Sequence, residues 1–298
     1  MKIISWQSLL TDHQYFTWQA MQKRGHEITF ILARVNDESR EKQGWTISQS
    51  DEIPCTILPN KGWWKTGKKI IQENKDAIHI FGGFWADKRF FPLILYSLFQ
   101  NVKTVAMNEA YSEVQTGYLN EGKKFINWCK TKLRPILYFA AIMASKLVSK
   151  KNKICFLAIG SNAQKQFLQA GLKMEQIFPW GYFVPSSSKK MGFRERSARL
   201  NLVFIGNLIS IKGLDLVIQA INEINKEEKG AITLEVFGYG DPTKWISSSS
   251  IGLHIKGLSP LVIHKKSSRI MITWFCPAGM TDGVWWSTKR CCRECRSF

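Results

Sequence analysis

Acidic residues are scarce in this chain: 23 Asp and Glu stand against 42 Lys and Arg in 298 residues, a formal charge of +19. That excess calls for an anionic partner or surface. No apolar run reaches the roughly 18–20 residues that cross a bilayer. The opening MKIISWQSLLTDHQ has one Lys and a strand-length apolar run interrupted by Asp12 and His13, which excludes a signal peptide. The 7 cysteines are odd in number and four crowd into the tail, so a disulfide framework is excluded and a reducing cytoplasm is expected. No internal repeat is found, and no metal site is expected. What is present is 45% hydrophobic and 12% aromatic residues, enough for real cores, in a chain long enough for two domains.

Short apolar runs alternate with helical patterns. Lys2–Trp6 reads as a strand, Tyr15–Lys23 as a helix closed by Gly25, and Ile28–Ala33 as a second, parallel strand. Ala77–Phe81 makes a strand ending at Gly82 and Gly83, whose lack of side chains lets a loop approach a ligand or simply turn tightly into a helix over Pro92–Phe99. Thr104–Met107 is the next strand, with Asn108, Glu109, Tyr111 and Glu113 at or beyond its carboxyl end, the edge where open parallel sheets bind ligands. A strand over Ile154–Ile159, a helix capped by Ser161 and Asn162, and the strand-like FPWGYFVP (Phe178–Pro185) complete a unit of residues 1–184. The polar, basic stretch 185–198 is the best linker, and a second unit starts at 199.

The most informative segment is LVFIGNLISIKGLD (Leu202–Asp215): an apolar strand, a glycine turn, then Lys212 and Gly213 opening a helix with Leu216, Val217, Ala220 and Ile221 at helical spacing. A cation at a helix N-terminus, beside free N–H groups and the positive dipole end, outlines a phosphate site. The segment resembles the start of the C-terminal domain of family 4 (group 1) glycosyltransferases, bacterial surface-polysaccharide type. LEVFGYG (Leu234–Gly240), IGLHIKG (Ile251–Gly257), RGHEITF (Arg24–Phe30) and DAIHIFGG (Asp76–Gly83) are similar to other stretches of that family. The resemblance implies a GT-B α/β fold: two Rossmann-like, doubly wound parallel-sheet domains, residues 1–184 on the acceptor side and 199–258 starting the donor domain.

It also implies the chemistry. A sugar moves from a nucleotide-diphosphate donor, which is substrate rather than cofactor, to a saccharide acceptor with retention of configuration. Gly206, Asn207, Lys212, Gly213 and Gly238 would face the donor diphosphate; Asn207 stands where the family usually has arginine, which weakens the charge offered. Gly82 and Gly83 would form the acceptor-side loop, and His13, His79 and Glu109 are the catalytic candidates. Each of those three also fits a structural role, because no spacing rule links them.

From Lys123 to Lys153 there are nine Lys or Arg and no acid, around the apolar run Ile136–Ala144. Two readings fit: a helix lying on an anionic membrane face, or a core helix with solvated basic ends. The membrane reading suits a lipid-linked acceptor and a location peripheral to the inner membrane. A basic nucleic-acid-binding protein, with Trp63, Trp64, Phe125 and Trp128 interleaved among cations, is the alternative class; no helix-turn-helix, finger or RNP pattern supports it.

After about Ser259 the pattern is lost. The last 28 residues, MITWFCPAGMTDGVWWSTKRCCRECRSF, hold three Trp and four Cys with little periodicity. Taking the third base of each codon with the first two of the next permits LVLPSRYDGWGVVVNEALLQGVPVI, which resembles the absent family segment. It restores over the codons of Thr288 and Lys289 a Glu where the donor-binding carboxylate belongs. The expectation is a frameshift between about codons 258 and 271, an incomplete second domain and an aberrant tail over 259–298; sequencing the gene checks it, and an overlapping frame without that string ends the idea. The competing reading is a native cysteine-rich extension in which Cys276, Cys291, Cys292 and Cys295 hold zinc.

Overall fold

The structure is a computed structural model that describes residues 1–10, 12–35, 53–111, 124–150, 153–183, 200–206, 208–209, 212–228, 232–238, 240–241, 243, 254–256 and 271–272. Linker 185–198, Glu113, Asn207 and the four tail cysteines lie outside these residues. The first sheet has seven strands: β1 (Lys2–Gln7), β2 (Glu27–Leu32), β3 (Cys55–Ile57), β4 (Ile78–Phe81), β5 (Lys103–Glu109), β6 (Cys155–Ile159) and β7 (Ile177–Trp180). All neighbours pair in parallel, in the order β3-β2-β1-β4-β5-β6-β7. Parallel pairing demands a crossover between neighbours. Helices α1 (Asp12–Lys23), α2 (Trp63–Glu73), α3 (Phe90–Phe99), α4 (Lys124–Val148) and α5 (Ser161–Gln169) follow β1, β3, β4, β5 and β6, and most of the connection after β2 lies outside the described residues.

Strand alternation decides where the core sits, because successive side chains leave opposite faces of a sheet. Ile4, Ile31, Phe81, Ala106 and Ala158 pack with Ile71 of α2, Leu93 of α3, Ile142 of α4 and Phe167 of α5. The next-door residues Ile3, Phe30, Ile80, Met107 and Ile159 join Tyr15 and Trp18 of α1 on the other face. The reversal of direction at β1 requires this: β1 to β2 runs one way across the sheet and β3 to β4 the other, so right-handed crossovers land on opposite faces. Trp6, Phe30, Phe81, Phe90, Phe156 and Phe167 are fully buried, each contributing about 1.5–3 kcal/mol.

The second sheet, also parallel, runs β10 (His254–Lys256), β9 (Ile232–Phe237), β8 (Leu200–Ile205), β11 (Met271–Ile272), with helix α6 (Leu214–Glu227) packed on it through Leu214, Val217, Ile218 and Ile221. The two residues of β11, beside Leu202 and Val203, are the only part of the tail described.

The structure differs from the sequence reading in a few local respects. α1 starts at Asp12 rather than Tyr15. Ser161 is the first residue of α5 and not its cap, because Gly160 (φ 86°, ψ 160°) makes the strand-to-helix bend in a conformation that L side chains avoid. The pair β3 and α2 was not anticipated: β3 is a three-residue edge strand exposed along its whole length, leaving no alternation to read.

α4 is apolar on two sides. Tyr138, Ala141, Ile142 and Ser145 are buried against the sheet, whereas Phe125 (75% exposed), Leu133, Ile136 (61%), Leu137, Phe139 and Leu147 face outward. The helix is therefore neither wholly core nor wholly surface. Among the described residues no helix is long and apolar enough to cross a membrane.

Candidate active site at the carboxyl edge of the first sheet

In an open parallel sheet, loops leaving neighbouring strands in opposite directions open a crevice at their carboxyl ends. That reversal occurs between β1 and β4. A cavity of about 300 Å³ lies at this edge, lined by Gln14 beyond β1, Gly82 and Gly83 beyond β4, Asn108 and Glu109 ending β5, and Tyr182 beyond β7. The inner face of α4 adds Tyr138.

The two glycines draw the β4 loop against its neighbours. A Cβ on Gly82 would stand 2.5 Å from Gln7 Oε1, and one on Gly83 (φ 131°) would press on Asn108 Nδ2 at 3.2 Å. Glu109 is exposed, and its Oε1 accepts the Tyr182 hydroxyl. Asn108 Nδ2 donates to the Tyr138 hydroxyl at 3.2 Å. Burial pushes the Tyr138 phenol up, against the smaller opposing pull of Asn108, so it remains a neutral hydroxyl. Among the described residues, two of the lining side chains carry a buried acceptor with no partner: Asn108 Oδ1 and Gln14 Oε1. An unpaired buried acceptor costs about 1–3 kcal/mol.

Of the two catalytic candidates whose side chains are described, Glu109 lines the cavity and His79 does not. His79 sits early in β4, is 0% exposed, and turns into the α2–α5 side of the sheet. Its Nδ1 accepts the Trp6 indole N–H at 3.1 Å and its Nε2 faces the Asn74 carbonyl at 3.0 Å, which fixes the tautomer with the proton on Nε2. Burial lowers its pKa to about 4. His13 lies in the first turn of α1, with its side chain outside the description. Sequence reasoning missed Gln14, Tyr138 and Tyr182. Tyr138 had a signal: it shares the inward stripe of Thr131, Ala141, Ile142 and Ser145, at spacings of three, four and seven. Gln14 and Tyr182 had none.

Of the residues expected to face the donor, Gly206, Lys212, Gly213 and Gly238 follow β8 and β9 of the second sheet, and Asn207 lies outside the described residues. The Gly206 N–H donates to the Phe237 carbonyl at 2.9 Å, joining the loops that follow β8 and β9. A Cβ on Gly240 would lie 2.8 Å from Leu208 Cβ, so these loops touch. Gly238 follows the last residue of β9. Gly213 is the N-cap of α6 at φ 67° with no side-chain cap, so the first-turn N–H groups keep their capacity for an anion. Lys212 is exposed, without an ion-pair partner among the described residues. Asp215 in the first turn is the local charge that opposes an anion.

No family model matches this chain, and no curated protein does. Solved structures do. WaaG, a glycosyltransferase involved in lipopolysaccharide biosynthesis, superposes with a TM-score of 0.51 at 13% identity, over 86% of this chain and 70% of WaaG. Anabaena HepE in complex with UDP-glucose gives a TM-score of 0.50 at 12% identity, over 87% of this chain and 69% of HepE. At such identities the likeness is one of architecture. The fold is accordingly the GT-B α/β fold, parallel sheets flanked by helices with a crevice at the strand ends.

Proposed function

We propose that this chain is a family 4-type glycosyltransferase that moves a sugar from a nucleotide-diphosphate donor to a lipid-linked saccharide in bacterial surface-polysaccharide assembly, O-antigen or capsule. The observation that carries it is the cavity at the strand-order reversal, with an accessible carboxylate and unpaired acceptors, in a fold shared with HepE bound to UDP-glucose. In this reading residues 1–184 hold the acceptor, 185–198 link, 199–258 begin the donor unit, and 259–298 are an aberrant tail. Lys212, Asn207 and the backbone at Gly206, Gly213 and Gly238 neutralise the leaving diphosphate, which supplies catalysis by positioning and electrostatics without a required metal or cofactor. Configuration is retained. On the acceptor side Gly82 and Gly83 shape the loop and Glu109 meets the acceptor. His79 holds β4 to β1 through Trp6, and His13 stands at the start of α1 beside Gln14.

Donor binding is the direct test. Lys212→Ala is expected to weaken UDP-glucose binding about tenfold, the value of one charge-assisted hydrogen bond, in a calorimetric titration at low salt. An unchanged affinity removes the donor site from this helix.

The outward face of α4 fits an anionic membrane, with apolar side chains among cations and nothing described covering them. The protein then works in the cytoplasm, peripheral to the inner membrane. Ile136→Ser is expected to lower partitioning onto phosphatidylglycerol vesicles about tenfold, from the lost burial of one large side chain. Equal partitioning of both proteins, or tight DNA binding in its place, argues for the nucleic-acid alternative.

A further inference from the structure

Helix α3, with the sequence FFPLILYSLF, has no charged residue, and its only polar side chains are Tyr96 and the buried Ser97. A helix that is apolar all round is normally enclosed by protein or lipid. Among the described residues α3 is not: Phe90, Leu93, Ile94 and Leu98 are buried toward the sheet, yet Phe99 is 52% exposed and Leu95 and Tyr96 are partly so. It is flanked by α2, so close that a Cβ on Gly67 would stand 2.6 Å from Leu93, and by α4. Rings and ammonium groups fill the seams. Trp64 of α2, 40% exposed, meets the Tyr96 ring at 5.6 Å, and the Lys68 ammonium stands 5.7 Å and 5.4 Å from the two rings. Just beyond α4, the Lys150 ammonium stands 4.8 Å from the Phe99 ring. Lys65 and Lys69 of α2 and Lys61 before it are exposed, and the one acid of α2, Glu73, pairs with Lys69 at 3.7 Å. Apolar side chains, indole and phenol rings and long-stemmed cations suit the boundary between water and an anionic bilayer.

We propose that the outward surface of α2 and α3 joins that of α4 in one three-helix face for an anionic lipid bilayer. The choice of partner rests on the membrane reading of α4; the surface itself stands on α2 and α3. All three helices cover the face of the sheet that carries Ile4 and Phe81, whereas α1 covers the other. The sheet then lies along the bilayer with α1 turned to water, and the cavity at its carboxyl edge opens parallel to the lipid surface. On α1, Phe16 is the one large apolar side chain that is exposed among the described residues, at 37%.

The test uses the whole 298-residue chain and co-sedimentation with sucrose-loaded vesicles of phosphatidylglycerol or phosphatidylcholine. Phe99→Ser and Trp64→Ser are each expected to lower partitioning onto phosphatidylglycerol about tenfold, from the lost burial of one ring, whereas Phe16→Ser leaves it unchanged. Lys65→Gln is expected to lower it about fivefold on phosphatidylglycerol and to change nothing on phosphatidylcholine. Circular dichroism and the urea midpoint check folding, and Lys65→Gln reads the surface even where a ring variant does not fold. Unchanged partitioning in any of these three variants that folds overturns the proposal, and so does an equal loss in Phe16→Ser. Self-association of the natural chain that Phe99→Ser abolishes without vesicles assigns the face to a second copy and overturns it as well. Lost DNA binding with unchanged vesicle binding has the same consequence. Ile136→Ser separates the two readings: a loss there with none in the α2 and α3 variants sinks this inference and spares α4, whereas the converse removes α4 from the contact and leaves α2 and α3 in it.

Discussion

Arg89→Leu is expected to cost the first unit about 3–5 kcal/mol in urea unfolding, the range for removing one partner of a buried, hydrogen-bonded charge pair. Arg89 is 5% exposed and stands immediately before α3. Its guanidinium donates to the Ala33 carbonyl beyond β2 at 2.7 Å and to the Leu58 carbonyl beyond β3 at 3.0 Å. It also grips both Asp87 oxygens, at 2.7 Å from Nε and 3.0 Å from Nη2. One side chain thus ties three chain segments at the carboxyl edge of the sheet. Leucine fills the volume but takes the guanidinium donors from two carbonyls and leaves the Asp87 carboxylate only the backbone N–H of residue 89, at 3.0 Å. Lysine has no planar fork and is expected to recover only part of the loss. A change below about 1 kcal/mol would show that these carbonyls find other partners. Asp87 adds an acid limit: burial raises its pKa, but the hydrogen bonds and charge of Arg89 outweigh this and hold it below the ordinary carboxylate value. Its contribution is therefore present above the unfolded pKa and disappears as pH falls through the lowered folded one.

Stability is also expected to fall by about 3 kcal/mol between pH 6.5 and pH 4 because of His79, whose pKa burial lowers from 6.5 to about 4. The sign follows from proton uptake. In that window the unfolded chain binds a proton at this position and the folded chain does not, so acidification favours unfolding. The contribution is complete above about pH 6.5 and is lost as pH approaches the folded value. Protonation would place a donor at Nδ1 opposite the Trp6 N–H, 3.1 Å away, so the two groups would repel. Urea midpoints measured across this range for the natural chain and for His79→Gln test it. The variant is expected to be less stable at neutral pH and to lack this part of the acid dependence; parallel curves for the two proteins would mean that His79 is not held neutral.

Much of the fold was legible because its signals are local. Six strands of the first sheet were placed to within a few residues from short apolar runs ended by glycine or polar residues, and Gly25 (φ 83°) closes α1 as its position suggested. The omission of β3 and α2 has a physical reason. An exposed three-residue edge strand takes its order from pairing with Phe30, Ile31 and Leu32 of β2, not from its own pattern. The site was legible only in part. Glu109, Asn108, Gly82 and Gly83 stand at strand ends, and any parallel sheet makes those positions candidates. Tyr182 and Gln14 belong to the site only because the segments that follow β7 and β1 reach the ends of β5 and β4 in space.

The residues alone determined the class: alternating short apolar runs and helices require parallel strands with crossovers, and the excess of cations with an acid-free, apolar segment set α4 apart. Tertiary structure decided the rest. The order β3-β2-β1-β4-β5-β6-β7 placed the reversal between β1 and β4 and so located the cavity. It also turned His79 into the core and Glu109 toward solvent, although both stand on neighbouring strands. The physical reason is that a side chain's face and neighbours follow from strand register and sheet order, and both are set by contacts between residues far apart in the chain.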